Sequence, residues 1–196
     1  MRKPAVTSIP IATLLAERWS PRAYDASAVV SPEQVRSLLE AARWAPSLGN
    51  TQPARYLVGV RGTPAFDAIL ATLNSGNQAW ARRASLLLIG VMVTTNKKGE
   101  VPYAEYGLGL ASENLVLQVV ELGLIAHQMA GFSPDAVHAA FALPDDAVPK
   151  VAIAVGSPAS PEVLEEDWRI EREKADRVRL PLEEFAFTDR WGKPAL

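Results

Sequence analysis

Apolar segments with the length of β-strands alternate with helix signals along most of the chain, and this alternation limits the possible folds more than any other feature. Strand-like runs occupy residues 55–60, 84–93, 124–132 and 150–156. Helical segments separate these runs from one another. The sequence therefore predicts a sheet that is covered by helices on both faces.

Capping residues mark the helices in addition to apolar spacing. Ser31, Pro32 and Gln34 provide an N-cap, a first-turn proline and a capping-box residue for a helix that should end near Trp44. Further helices are expected at about 11–20, 63–73, 77–83, 103–123 and 133–142. The segment 103–123 carries little charge, so we expect that helix to be buried on most sides.

Composition excludes several classes of function. The 196 residues are 48% hydrophobic, which suits one compact domain with a real core. A net charge of -2 provides no overall attraction to nucleic acid or to an anionic membrane, and the lack of cysteine rules out thiolate metal sites. The longest apolar run, 84–93, is too short for a membrane span, and the first ten residues lack the apolar stretch of a signal peptide. We expect a soluble, cytoplasmic protein without a metal.

The last part of the chain differs in character from the rest. The alternating pattern is complete by about residue 156, and residues 160–180 are strongly charged. Phe185, Phe187 and Trp191 then lie close to the end, where a disordered terminus would not carry large aromatics. Two interpretations remain open, since the segment could wrap over a partner subunit or could pack on its own chain.

Four arginines are candidates for anion binding. Arg18 and Arg22 lie near one end of the chain, and Arg177 and Arg179 lie near the other. Nearby prolines favour an extended backbone, in which both side chains of a pair point to the same side. Arginine is the residue type suited to bidentate phosphate recognition, although solvated surface charges are the simpler alternative for any one pair.

A second candidate group lies between a helix and a strand. Ser47, Asn50 and Gln52 offer hydrogen-bond donors and acceptors, and flanking Pro46 and Pro53 restrict their backbone. Such a concentration of short polar groups is typical of a ligand-binding junction. Further along the chain, a glycine at position 131 would let a ligand ring approach the main chain closely.

Taken in this order, the residues resemble the FMN-dependent nitroreductase superfamily. The N-terminal Arg-x-Ser-x-basic pattern of that family corresponds to residues 18–22, and its Pro-Ser-x-x-Asn-x-Gln-Pro element corresponds to residues 46–53. The resemblance covers residues 15–192. The other matching elements are the segment 76–80, the Gly-Phe turn at 131–132, the basic-x-Arg-x-Pro element at 177–181 and the terminal segment 181–192.

The resemblance implies an α+β fold with three α-β-α layers and a central mixed sheet, in a single domain over residues 1–196. It also implies a homodimer with one FMN at each of two subunit interfaces and a C-terminal extension, about 157–196, swapped onto the partner. The residues it places around FMN are Arg18, Trp19, Ser20, Arg22, Pro46, Ser47, Leu48, Asn50, Gln52, Asn77, Met129, Ala130, Gly131, Arg177 and Arg179.

Within that set, the arginines and Ser20 would hold the phosphate and ribityl chain, with Arg177 near the phosphate or the pyrimidine side of the ring. Asn50 would hydrogen-bond the ring edge, and residues 46–48 would wall the site from the partner chain. The main-chain N–H of Gly131 would point at flavin N5, beside residues 129 and 130. Asn77 is a weaker candidate.

The activity implied is hydride transfer from NADH or NADPH to FMN, and then to a nitro, quinone or flavin acceptor, in a ping-pong order. The flavin would do the chemistry, so no side chain is predicted to be a catalytic acid or base. A divergent flavoenzyme (a dehalogenase, a dehydrogenase or a flavin-fragmenting enzyme) and a flavin-binding protein without redox turnover remain alternatives. We interpret His127 as structural and His138 as a surface residue.

Several residues depart from the family pattern or invite a wrong assignment. Trp19 replaces a basic residue, Leu48 replaces a small polar one, and Ala54 replaces a tryptophan, which puts the substrate class in doubt. The Gly-x-Gly at 107–109 lacks the third glycine and the preceding strand of a Rossmann fingerprint. We interpret it as a site of close helix packing.

Overall fold

A computed structural model describes residues 1–196 and contains a four-stranded sheet between two helical layers. The strand order is β1-β2-β6-β5, and every pairing is antiparallel. The strands of this sheet are β1 (Ala54–Val60), β2 (Leu86–Val93), β5 (Ile125–Met129) and β6 (Ala147–Gly156). A separate two-residue hairpin consists of β3 (Thr95–Asn96) and β4 (Gly99–Glu100).

Seven α-helices accompany the strands. They are α1 (Thr13–Glu17), α2 (Pro32–Arg43), α3 (Pro64–Thr72), α4 (Ser75–Ala81), α5 (Ala104–Glu121), α6 (Pro134–Phe141) and α7 (Asp167–Lys174). The predicted capping box of α2 is confirmed, because Ser31 Oγ accepts the N–H of Gln34 and Gln34 Oε1 accepts the N–H of Ser31. None of the helices combines the length and the apolar character that a bilayer crossing requires.

Side chains along β2 alternate between the two faces of the sheet, and this alternation explains why the sequence of the strand is apolar throughout. Leu86 and Leu88 belong to the core that α2 and α5 cover, whereas Leu87 and Ile89 belong to the core that α3, α4 and α6 cover. Successive side chains of a strand point to opposite faces, so a strand between two helical layers needs apolar residues at every position. The predicted three-layer α-β-α architecture is confirmed.

The direction of the strands differs from the expectation. The family resemblance implied a mixed sheet, but all three pairings within the four-stranded sheet are antiparallel. Alternation of strands and helices does not determine strand direction, because a connection with short helices can return to either end of the sheet. Between β1 and β2, for example, the chain forms both α3 and α4 before it re-enters the sheet.

Helix α5 makes a close approach to the segment that precedes β1. A Cβ placed on Gly107 would lie 2.7 Å from Cγ of Pro53 and 3.8 Å from Cβ of Ser47. The interpretation of this glycine as a helix-packing residue is therefore confirmed. Gly109, two residues further along, faces open space.

The C-terminal region divides into a packed part and an exposed part. Pro161 and Leu164 are buried against the body, and Glu173 on α7 is only 1% exposed. From residue 176 onward nearly every side chain is exposed or half-buried. We call residues 176–196 the tail; its first part, up to Leu182, lines a cavity with the N-terminal segment of the same chain.

Candidate functional site

Three of the predicted arginines line one cavity of about 570 Å³, which we call the arginine cavity. Arg18 follows α1, and Arg177 and Arg179 follow α7, so the two ends of the chain meet here. Glu113 on α5 is the other charged residue of the lining. The apolar part of the wall comes from the N-terminal segment and the start of the tail, namely Ala5, Val6, Ile9, Ile11, Leu15, Leu180, Pro181 and Leu182.

The positive charges of the arginines in this cavity are compensated by few acidic side chains. Arg177 donates to the carbonyl oxygens of Lys3 and Ala16, both at 2.7 Å, and Arg179 donates to the carbonyl oxygen of Val178 at 2.8 Å. Neither forms an ion pair with an acid of this chain. Burial, followed by the charges of Arg18 and Arg179, lowers the pKa of Arg177. The cavity is therefore electropositive.

Arg22 lies outside the arginine cavity. Its guanidinium carbon is 5.9 Å from the ring centroid of Trp80, which also packs against His127 at 4.8 Å. Burial, then the charge of Arg172, lowers the pKa of Arg22. The segment 18–22 has no helical or strand assignment, and four residues of extended chain span roughly 13 Å. Arg18 and Arg22 therefore do not share one cavity.

Residues 46–52, which we call the site loop, have an unusual backbone. Gly49, Asn50 and Gln52 have φ angles of 54°, 55° and 49°, and the left-handed region is uncommon for residues other than glycine. Ser47 Oγ accepts the N–H of Gln52 at 2.9 Å and closes the loop. The side chains of Asn50 and Gln52 are exposed and make no hydrogen bond within the chain, and Leu48 is 54% exposed. Such strain is typical of segments with a binding role.

A third group of candidate site residues surrounds Gly131, which lies just after the end of β5. Its carbonyl oxygen accepts the N–H of Asn74 at 2.9 Å and Nδ2 of Asn77 at 3.1 Å, while its own N–H has no partner in the chain. The Cβ direction of Gly131 is filled by the amides of those two asparagines, which explains why glycine is needed here. Ala130 is exposed, but Met129 is 4% exposed and its side chain lies in the core.

Trp19 and Ser20 are two further residues that the sequence predicted to lie around FMN. Trp19 lines a separate cavity of about 340 Å³ near the N-terminus, with Lys3 Nζ 4.6 Å from its ring centroid. It lies away from Arg18 because neighbouring side chains of an extended segment point in opposite directions. Ser20 is exposed and its hydroxyl makes no hydrogen bond within the chain.

His127 lies inside the body beside Trp80. Its Nδ1 is 3.1 Å from the carbonyl oxygen of Pro21, and the residue is 9% exposed. Burial, followed by the charge of Arg22, lowers its pKa to about 4. The imidazole is thus neutral at neutral pH and forms part of the packing.

Within one chain the site loop and the arginine cavity remain apart. No hydrogen bond or ion pair of the structure joins residues 46–52 to Arg18, Arg177 or Arg179. Both regions adjoin α5, the loop through Gly107 and the cavity through Glu113. One chain therefore presents two incomplete polar surfaces.

Several residues that support these surfaces were not predicted from the sequence. Glu113 contacts Arg18, and Gln128 contacts Glu113. Glu173 accepts the N–H groups of Arg22 and Ala23 at 2.7 and 3.1 Å and so fixes the segment that carries Arg22. The isolated acid in the middle of the weakly charged α5 was the available signal for Glu113, but nothing in the charged run 160–180 distinguished Glu173 from its neighbours.

Comparison with known proteins assigns the chain to a family. A model of the nitroreductase family matches residues 15–65. The crystal structure of an oxidoreductase containing FMN superposes with a TM-score of 0.89, covers 95% of each chain and is 31% identical. The chain belongs to the nitroreductase family and is an oxidoreductase.

Two sequence relatives extend this comparison. An uncharacterised 15.4 kDa protein of Mycolicibacterium smegmatis is 34% identical over 148 residues, which are 71% of this chain and 99% of that protein. A Streptomyces coelicolor protein, provisionally named an NADH dehydrogenase/NAD(P)H nitroreductase, is 28% identical over 169 residues, which are 74% of this chain and 82% of that protein.

Proposed function

We propose that this protein is an FMN-dependent oxidoreductase that takes electrons from NADH or NADPH and delivers them to a small nitro, quinone or flavin acceptor. The arginine cavity is the observation that carries this proposal. Family membership supports it, as do the FMN of one structural relative and the NAD(P)H in the name of one sequence relative.

The donors of the arginine cavity fit a phosphate monoester. Arg18, Arg177 and Arg179 converge on one cavity, and only Glu113 offsets their charge. Guanidinium groups bind phosphate through paired charge-assisted hydrogen bonds, and a phosphate monoester carries about -1.5 to -2 charges at neutral pH. The exposed hydroxyl of Ser20, two residues after Arg18, would add a donor toward the ribityl chain, and Arg22 would follow it toward the ring.

The remaining groups fit the edge of a flat heterocycle. The main-chain N–H of Gly131 has no partner in the chain, and Asn77 on α4 keeps its Oδ1 free while its Nδ2 holds Gly131. We assign this N–H to the flavin ring, with Met129 contributing only main-chain atoms because its side chain is in the core. Bound there, FMN would accept hydride from a reduced nicotinamide and pass electrons to the acceptor.

A second copy of the chain would complete the site. Pro46, Ser47, Leu48, Asn50 and Gln52 lie on the exposed site loop, which does not reach the arginine cavity of its own chain. We propose a homodimer in which the loop of one subunit closes the flavin site of the other. The exposed apolar residues of the tail support this arrangement, with residues 1–196 as one domain in which the part of the tail after Leu182 extends over the partner.

The decisive experiment is anaerobic reduction of the purified protein. We expect a yellow preparation whose flavin absorbance bleaches when NADH or NADPH is added and returns when a quinone is supplied. A yellow protein that neither nicotinamide bleaches would instead be a flavin-binding protein without this turnover. A colourless protein that does not take up added FMN would contradict the proposal altogether.

A further inference from the structure

Glu113 is the one acid in the arginine cavity, and its position is unexpected for a site that takes a phosphate. Its Oε1 lies 3.6 Å from Nε of Arg18, and its Oε2 accepts Nε2 of Gln128 at 3.4 Å. A carboxylate in this place lies at the Nε edge of the Arg18 guanidinium, which is one of the edges that can bind an anion. Its presence therefore needs an explanation beyond ligand binding.

The contact between Glu113 and Arg18 is loose enough to be exchanged. A distance of 3.6 Å exceeds that of a charge-assisted hydrogen bond, so the pair is held by charge alone. The side chain of Glu113 is 43% exposed, whereas that of Arg18 is 20% exposed. Because partly exposed ion pairs contribute little, Glu113 can turn toward solvent while Arg18 stays in the cavity.

The other two arginines of the cavity have no such internal partner. Arg177 and Arg179 donate only to carbonyl oxygens, which carry no net charge. With Glu113 included, the cavity lining has a net charge of +2, and without it the net charge would be +3. A phosphate monoester of about -2 would leave the cavity neutral with Glu113 present and positive without it.

We propose that Glu113 acts as an internal competitor for the flavin phosphate. It pairs with Arg18 when the cavity is empty and is displaced, but remains close, when phosphate enters. Its charge weakens phosphate binding and speeds release, so that FMN is an exchangeable ligand of this protein rather than a permanent one. This inference rests on the proposed function, because it takes the phosphate of FMN as the anion of the cavity.

The test compares FMN with riboflavin, which lacks the phosphate. Glu113→Gln removes the charge but keeps an oxygen that can accept Gln128. We expect the variant to bind FMN about fivefold to tenfold more tightly, mainly through slower release, because one unfavourable charge–charge contact is lost. Riboflavin binding should change less than about twofold, since the ring and ribityl contacts are unaltered. Flavin fluorescence quenching measures both affinities and the release rate.

A matched control on the same helix separates the effect of the position of Glu113 from the effect of losing one negative charge. Glu105 on α5 pairs with Lys150 at 3.0 Å, away from the cavity, so Glu105→Gln makes the same charge change elsewhere. Its FMN affinity should equal that of the unaltered protein. If Glu113→Gln misfolds, Glu113→Ala removes the same charge and has the same expected result.

The opposite outcomes overturn the inference. Unchanged or weaker FMN binding in both Glu113 variants would do so, as would equal tightening of FMN and riboflavin. If the unaltered protein binds no flavin, the proposed function fails but the competition can still be measured with inorganic phosphate. Phosphate should then raise the melting temperature of Glu113→Gln more than that of the unaltered protein, and equal shifts would refute the competition.

Discussion

The central sheet and the tail differ in whether their apolar side chains find partners within the chain. Leu87, Ile89 and Ile153 in the sheet are completely buried, whereas Phe185 is 74% and Trp191 is 90% exposed. Phe187 and Trp191 pack on each other, with ring centroids 4.8 Å apart, but on little else. One copy of this sequence therefore provides a complete core and an incomplete surface, and changes to the two regions should have different consequences.

Removal of the part of the tail after Leu180 should give the largest effect and should leave the body folded. Truncation after Leu180 deletes three aromatic side chains, each worth roughly 1.5–3 kcal/mol when buried, and a symmetric dimer loses them twice. We expect subunit association to weaken by roughly a thousandfold or more and FMN binding to weaken with it. Light scattering at high and low protein concentration measures the association.

Truncation after Lys193 is the matched control, because it removes part of the tail but keeps all three aromatics. It should remain dimeric. A chain cut after Leu180 that stays dimeric and keeps its flavin would show that the tail is not an interface. A lower melting temperature without dependence on protein concentration would instead indicate packing on the same chain.

Loss of two arginines should empty the site without unfolding the body. Arg18→Ala combined with Arg179→Ala removes two charge-assisted contacts, each worth roughly 1.5–3 kcal/mol. We expect FMN affinity to fall by roughly a hundredfold or more, so that the protein purifies colourless with an unchanged circular dichroism spectrum. Arg36→Ala, at an exposed position of α2, should stay yellow. A yellow double variant would remove these arginines from the phosphate site.

Acidification should destabilise the body through His127. Its pKa of about 4 in the folded chain lies below the ordinary value of 6.5, so the neutral ring is favoured by folding. The resulting stability is complete above about pH 6.5 and is lost as the pH falls toward 4, by at most roughly 3 kcal/mol. Urea unfolding at several pH values should show this loss in the unaltered protein. His127→Gln should lack that part of the pH dependence, and an identical pH profile in the two proteins would be inconsistent with the buried neutral ring.

Two glycines of α5 should respond to alanine with opposite signs. Gly107→Ala forces a methyl group against Pro53 and should cost roughly 1–3 kcal/mol of unfolding free energy. Gly109→Ala faces open space in the middle of the helix and should add roughly 0.5–1 kcal/mol. Thermal unfolding of both variants provides the comparison. A destabilising change at Gly109 would mean that a partner chain covers that face of the helix.

Local signals in the sequence predicted most of the body. Ser31, Pro32 and Gln34 define the start of α2, and the apolar run of β2 needs helices on both sides, so each of these elements follows from residues close together in the chain. Strand direction did not follow, because it depends on where α3 and α4 return the chain. Helix α7 was also missed, since its outward-facing charges conceal the few contacts that Ile170 and Glu173 make with the body.

The candidate site was predictable as a list of residues but not as an arrangement. The spacing of Arg177 and Arg179 matched a known pattern, yet nothing in the sequence indicated that Arg177 would be held by the carbonyl groups of Lys3 and Ala16. Trp19 was placed with its neighbour Arg18, although adjacent residues of an extended segment point apart. Contacts between distant parts of the chain, such as Glu173 with Arg22, are set by the fold as a whole and leave no local pattern.

The meeting of the two chain ends in the arginine cavity also bears on how the protein is made. Arg18 leaves the ribosome early, but Arg177 and Arg179 follow about 160 residues later, which corresponds to roughly 8–30 s at the usual rates of synthesis. During that interval the sheet and both of its helical layers can form, whereas the anion site has only one of its three arginines. A nascent chain should therefore fold its body before the anion site exists, and a ligand of that site would bind only after synthesis is complete.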